Sequence, residues 1–144
     1  MYVVDTNVLV YAVSPAAAEH DQCRLALERW RRGATPWFLT WSIVYEFLRV
    51  TTHPRVLARP LRAAQALDVV DALFESRSLQ VLVATPRHPQ ILASVVAEVP
   101  LLSGNLVHDA HIATLMREHG IRSIVTRDVA FHRFPFLEVV DPLM

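Results

Sequence analysis

Four acidic side chains are the chemical resource of this sequence: Asp5, Asp109 and Asp128, with Glu46 as a fourth candidate. Asp109 lies in the first turns of an otherwise apolar helix within LSGNLVHDAHIATLMREHG, Leu102 to Gly120. The positive end of a helix dipole favours a carboxylate there, but a partly buried charge is costly without a partner. Asp5 closes the apolar run Tyr2-Val3-Val4, and Asp128 lies just past Ile124-Val125. If those runs are neighbouring parallel strands, both acids stand in the crevice beyond the carboxyl ends of the sheet. Asp109 belongs to the helix feeding the second of them and reaches the same end. Two unit charges about 4 Å apart repel by about 4 kcal/mol at an effective dielectric near 20, so such a cluster needs a proton or a hard divalent cation. Mg²⁺ suits it, with a few carboxylates, retained waters and a substrate phosphate as ligands. Water on such an ion is a nucleophile, and the ion stabilises charge on phosphoryl oxygens.

Glu46 is ambiguous by itself. Ser42, Glu46, Arg49 and His53 form a polar line at helical spacing. Periodicity alone favours a solvated face with a Glu46–Arg49 pair at i, i+3, contributing a few tenths of a kcal/mol.

The elements that must position these residues follow from hydrophobic periodicity and breakers. Tyr2–Val4 predicts a buried strand, followed by a helical segment over Val8 to Val13 that Ser14-Pro15 breaks. Ala16 to Arg32 predicts a helix, Trp37–Leu39 a strand, and Trp41 to Val50 a helix ended by Thr52-His53-Pro54. Leu61 to Phe74 predicts a helix packing through Ala64, Leu67, Val70 and Phe74, with Asp68, Asp71 and Glu75 as its solvated face. Leu79–Val83 predicts a buried strand and Gln90 to Val99 a helix. The helix bearing Asp109 has Asn105 as its expected N-cap, an inward stripe of Leu106, Ala110, Ala113 and Met116, and His119-Gly120 as its stop. Ser123–Val125 predicts another strand and Leu137–Val140 a last edge strand. Strands alternating with helices predict an α/β fold with a mostly parallel sheet.

Composition narrows the functional classes. A chain of 144 residues with neither a repeat nor a linker is expected to form one domain. Its fourteen basic and fourteen acidic residues cancel, and every basic one is arginine. Phosphate chemistry that needs a lysine is excluded, and the general basic footprint of a tight nucleic-acid binder is missing. The single cysteine, Cys23, reads as a core residue in a reducing compartment. The N-terminus lacks the basic region of a signal peptide. No apolar run approaches the roughly 18 residues of a membrane span. A cytoplasmic protein is the expectation.

Two rival motifs fail on their own requirements. His108 and His111 bracket Asp109, but the His-Asp phosphohydrolases are all-helical and need further histidines, so these two read as surface or supporting groups. Asp5-Thr6-Asn7 lacks the second acid of the haloacid-dehalogenase motif, and the lysine that chemistry requires has no candidate.

Taken together, DTNVLVYAV at Asp5, TWSIVYEFLRVTTHPRV around Glu46, GNLVHDAHIATL around Asp109 and VTRDVAFHRFP around Asp128 resemble the PIN-domain endoribonucleases, specifically the VapC-type toxins of toxin–antitoxin pairs. The four segments occur in the family's order across essentially the whole chain. The resemblance implies a PIN-like three-layer sandwich over residues 1–144. It also implies Mg²⁺ or Mn²⁺ as cofactor, RNA (tRNA or rRNA) as substrate, a homodimer, and a VapB-type antitoxin as partner. By position, Asp5, Glu46, Asp109 and Asp128 become the metal-binding catalytic acids, which settles Glu46 in favour of function. Asn7 becomes a support that caps the following helix, and Thr126 one that holds a carboxylate or a metal water. Relatives often carry a further acid two positions beyond the residue matching Asp128, where this chain has Ala130. One tightly held ion is therefore expected. Arg49, Arg127 and Arg133 could hold RNA phosphates or pair with nearby acids, and both readings stay open. Trp41 and Tyr45 are expected in core or dimer contacts rather than stacked on bases. The alternative function is a catalytically weak PIN-like module that binds RNA or protein.

Overall fold

The computed structural model describes all 144 residues. In chain order it contains β1 (Tyr2–Val4), α1 (Thr6–Val13), α2 (His20–Arg32), β2 (Trp37–Thr40), α3 (Trp41–Thr51) and α4 (Ala63–Phe74). It continues with β3 (Leu79–Leu82), α5 (His88–Glu98), α6 (Leu106–Glu118), β4 (Ser123–Val125), a 3₁₀ turn (Val129–Arg133) and β5 (Glu138–Val140). The five strands form one sheet in the order β3-β2-β1-β4-β5, and every pairing is parallel.

That order fixes the layers. From β1 the chain steps outward to β2 and β3, with α1–α2 and then α3–α4 as the crossovers. It then returns across the sheet through α5–α6 to β4, on the far side of β1. Right-handed crossovers stepping in opposite directions lie on opposite faces, so helices cover the sheet on both sides. The strand order reverses between β1 and β4, where both face layers diverge and leave a crevice at the carboxyl ends. The core runs through Val3, Val4, Trp37, Leu39 and Ile124 of the sheet and Phe47, Met116, Phe131 and Phe134 around it, all buried.

Several expected details are corrected. The helix expected from Ala16 begins at His20, because residues 15–19 form successive turns (Ala17 N–H to Ser14 O, His20 N–H to Ala17 O) that reverse the chain between α1 and α2. α4 begins two residues later than expected, and its buried stripe is Ala66, Val70 and Leu73. Leu67 and Phe74 are left 48% and 37% exposed, because α4 packs against α3 through a face rotated from the predicted one. β3 is an outer strand with Gln80 exposed and only Leu82 buried, not a buried one. α5 spans His88–Glu98, starting earlier than Gln90 with Pro89 in its first turn, where proline is tolerated. Asn105 itself has helical angles and makes no side-chain cap to α6, whose entry instead turns on Gly104 at φ +58°. The other end behaves as predicted. Gly120 takes φ +67°, with Ile121 N–H on Met116 O at 2.9 Å and Gly120 N–H on Arg117 O at 3.3 Å, a Schellman closure.

Candidate active site

Strand register brings the first two site residues together. Val4 pairs with Val125, so the next residues, Asp5 and Thr126, emerge side by side at the switch point. The Asp5 N–H also donates to Val125 O at 3.0 Å. Asp5 is the N-cap of α1, its Oδ1 accepting the Thr6 N–H at 2.7 Å. Its Oδ2 accepts the Thr126 hydroxyl at 2.6 Å and the Asn7 amide at 2.8 Å. The Thr126 oxygen in turn accepts the Asn7 amide and the Asp128 N–H, each at 2.9 Å. Asn7 therefore does not make the cap of α1 that the resemblance implied. Asp5 does so, and Asn7 ties the β1 end to the β4 end, its Oδ1 also accepting the Arg127 N–H at 3.3 Å.

Glu46 joins from α3 through a residue that sequence reasoning passed over. The Thr6 hydroxyl donates to Glu46 Oε2 at 3.0 Å, so the residue after Asp5 anchors the third acid. A hydroxyl directly after the strand-closing acid was the available signal. α3 starts where it does because Thr40, fully buried at the end of β2, accepts the Ile43 N–H at 3.2 Å. Asp128 caps the 3₁₀ turn by accepting the Ala130 N–H at 2.8 Å. Asp109 projects from the first turns of α6, half-buried, beside the buried stripe of Leu106, Ala110, Ala113 and Met116.

The electrostatics bind these four acids into one unit. Burial pushes the Asp5 carboxyl up to about 6, against the hydrogen bonds from Thr126 and Thr6 and with the added repulsion of Glu46 and Asp109. Burial likewise raises Asp109 to about 6, reinforced by Asp128 and Glu46 and opposed by His108. Each acid lies in the field of at least one other, yet no three close around a single point. Neighbouring anions with only oxygen donors fit a hard divalent cation, which would draw them together and remove the repulsion. Asp5, Glu46, Asp109 and Asp128 are the groups available to hold one.

The arginines are engaged to different degrees. Arg49 reaches Glu46 Oε1 at 3.5 Å across an exposed helix face. Arg127 is paired with Glu19 at 2.6 Å and Asp141 at 3.5 Å. Arg133 donates to the Pro100 carbonyl. His108 and His111 are both exposed on α6.

The chain matches the PIN domain family over residues 2–137. Ribonuclease VapC48 of Mycobacterium tuberculosis is 35% identical over 138 residues, covering 96% of this chain and 94% of that protein. Ribonuclease VapC37 of the same organism is 35% identical over 134 residues, covering 93% and 92%. Among solved structures, the M. tuberculosis toxin VapC20, described as cleaving the sarcin-ricin loop, superposes with a TM-score of 0.69 at 19% identity, covering 98% of this chain and 100% of that one. VapBC2 from Rickettsia felis, bound to a promoter DNA fragment, gives 0.68 at 18% identity, covering 96% of each chain. These structural likenesses concern the fold.

Proposed function

The chain belongs to the PIN domain family, and from that membership we propose that it is a Mg²⁺- or Mn²⁺-dependent endoribonuclease, the toxin of a toxin–antitoxin pair. The observation that supports the reading is the proximity of Asp5, Glu46, Asp109 and Asp128 near the switch point, each in the field of another, with Asp5 and Asp109 both raised to about 6. When bound, the divalent cation activates water and offsets charge on the phosphoryl oxygens of the RNA. The protein's part is to hold the carboxylates in place. Thr126 and Asn7 fix Asp5, Thr6 fixes Glu46, and the first turns of α6 present Asp109. One ion is proposed, because Ala130 offers no carboxylate and its N–H instead occupies Asp128 Oδ1.

Arg49 and Arg133 remain the proposed contacts to RNA phosphate, since Arg127 is held by two acids. The relatives' names support RNA as substrate, with tRNA or rRNA proposed as its class, and the VapBC assembly supports a VapB-type antitoxin as partner. An exposed apolar face of Trp41, Tyr45, Leu67 and Phe74, in which Trp41 and Phe74 stand 6.0 Å apart, supports a homodimer. No helix is long and apolar enough to cross a membrane, and a cytoplasmic site of action is proposed.

The test is cleavage of a mixed tRNA and rRNA pool by antitoxin-free protein in Mg²⁺, in Mn²⁺ and in chelator. Discrete fragments that require the metal are expected. Retardation of RNA on a gel without cleavage would favour the binding module instead.

A further inference from the structure

Outside the acidic site, the α5–α6 pair carries a second cluster of chemically capable side chains. Glu118, the last residue of α6, has a side chain with no solvent exposure. It accepts the Thr85 N–H at 2.9 Å and the Thr85 hydroxyl at 2.6 Å through Oε1, and meets His88 Nδ1 at 2.5 Å through Oε2. Burial works against its ionised form, but the bonds from Thr85 and His88 outweigh it and hold the carboxyl below its ordinary range. An ionised carboxylate only accepts, so Nδ1 of His88 is the donor, and in the neutral ring the free lone pair is on Nε2. The two ring nitrogens point in divergent directions. Tethering Nδ1 to Glu118 turns Nε2 away from it.

The aromatic neighbour of His88 on α6 is His111, seven residues before Glu118 and so on the same helix face two turns earlier. The two imidazoles are 5.8 Å apart between centres, at 77°. Two imidazoles bound to one tetrahedral ion at about 2.0–2.1 Å have ring centres roughly 5 to 6 Å apart. A metal-bound histidine whose other nitrogen donates to a carboxylate is the arrangement that fixes tautomer and ring orientation for coordination.

We propose that His88 and His111 form a chelate for a borderline-soft divalent cation of the Zn²⁺ class, with Glu118 as the positioning residue for His88 and water completing the coordination. No three His, Cys, Asp or Glu side chains close on one point, which makes this a two-ligand site. Its nitrogen donors distinguish it from the all-oxygen acidic site, which suits Mg²⁺ or Mn²⁺. The bound ion would pin the start of α5 to the helix that presents Asp109. The inference is independent of the nuclease reading, and its readout is metal binding.

The experiment is titration of the full chain with Zn²⁺ against a chromophoric chelator, each variant's fold being checked by its melting curve. Zn²⁺ also enters the acidic site, which Asp109→Asn weakens, so Asp109→Asn is expected to keep one tightly bound Zn²⁺. His88→Ala and His111→Ala should each weaken it at least about tenfold, and Glu118→Gln roughly tenfold, the usual scale for losing a carboxylate behind a metal-bound histidine. His111 is exposed, so His111→Ala and His111→Gln keep the test decisive if His88→Ala does not fold. The proposal is overturned if the wild type takes no zinc, if Asp109→Asn keeps none, or if either histidine substitution leaves zinc binding unchanged. Unchanged binding by Glu118→Gln overturns the role given to Glu118.

Discussion

The two ends of the parallel sheet differ in kind. At the amino ends of β2 and β3 lies an open concavity of about 500 Å³ lined by Arg31, Arg32, Arg77, Glu75, Ser78 and Gln80. Two of its arginines find local partners, Arg32 lying 2.9 Å from Glu28 and Arg31 donating through one terminal nitrogen to the Ala72 carbonyl at 2.8 Å, though Arg31 Nε is left without one. Three arginines in the last turn of α2 also suit the negative end of its dipole. At the carboxyl ends the four acids stand in one another's repulsive field, and hydroxyl and amide bonds hold Asp5 and Glu46 there. Perturbed charge marks the carboxyl end as the candidate site for chemistry.

The largest expected effect is on Asp109. Asp109→Asn should reduce metal-dependent RNA cleavage by roughly 100-fold or more, the scale of losing one preorganised electrostatic group. It should leave the metal-free protein as stable as the wild type or more so, since a repelling charge is gone. Loss of activity together with loss of stability would mean that the residue is structural. Next is Thr126→Val, which removes one donor to Asp5 and the acceptor of both Asn7 and the Asp128 N–H. Leaving such part-buried groups unmatched costs about 1–3 kcal/mol, read as a melting point several degrees lower, with cleavage reduced as well.

The fold was legible in the sequence wherever hydrophobic period and breakers agree, as in β1, β4 and the Gly120 stop of α6. It was not legible where tertiary packing chose among similar apolar faces. Leu67 and Phe74 share the periodicity of a core stripe, and only the docking of α4 on α3 decides that Ala66 and Leu73 go inside. β3 reads as buried because Leu79, Val81 and Leu82 are apolar, and its place at the sheet edge is a property of strand order. Asp5 and Asp128 were legible because each follows a strand. Thr6 and Glu118 were not, because each acts through a partner far along the chain, 40 residues to Glu46 and 30 back to His88.

A subtler difference between the two ends is their dependence on pH. Asp5 and Asp109 sit at about 6 in the folded chain against an ordinary 3.8. Groups raised in this way favour the folded state below the unfolded value and lose that contribution as pH rises through the folded one. Without divalent cations, the melting point of the wild type relative to Asp109→Asn should therefore fall between about pH 4 and pH 7. Added Mg²⁺ should restore it at the upper end. The smallest effect belongs to the amino end. Arg77→Ala should leave RNA cleavage within about twofold, the usual range for a surface change away from a site. A large loss there would make the arginine concavity part of the RNA path and erase the contrast.

The most direct test of the account is a Mn²⁺ titration of the wild type, Asp5→Asn and Asp109→Asn, run above and below pH 6. One ion per chain is predicted, bound more weakly by both variants and more weakly at the lower pH, where protons compete for the same carboxylates. Binding that ignores both substitutions and the pH, or two fully occupied ions about 4 Å apart, would contradict it.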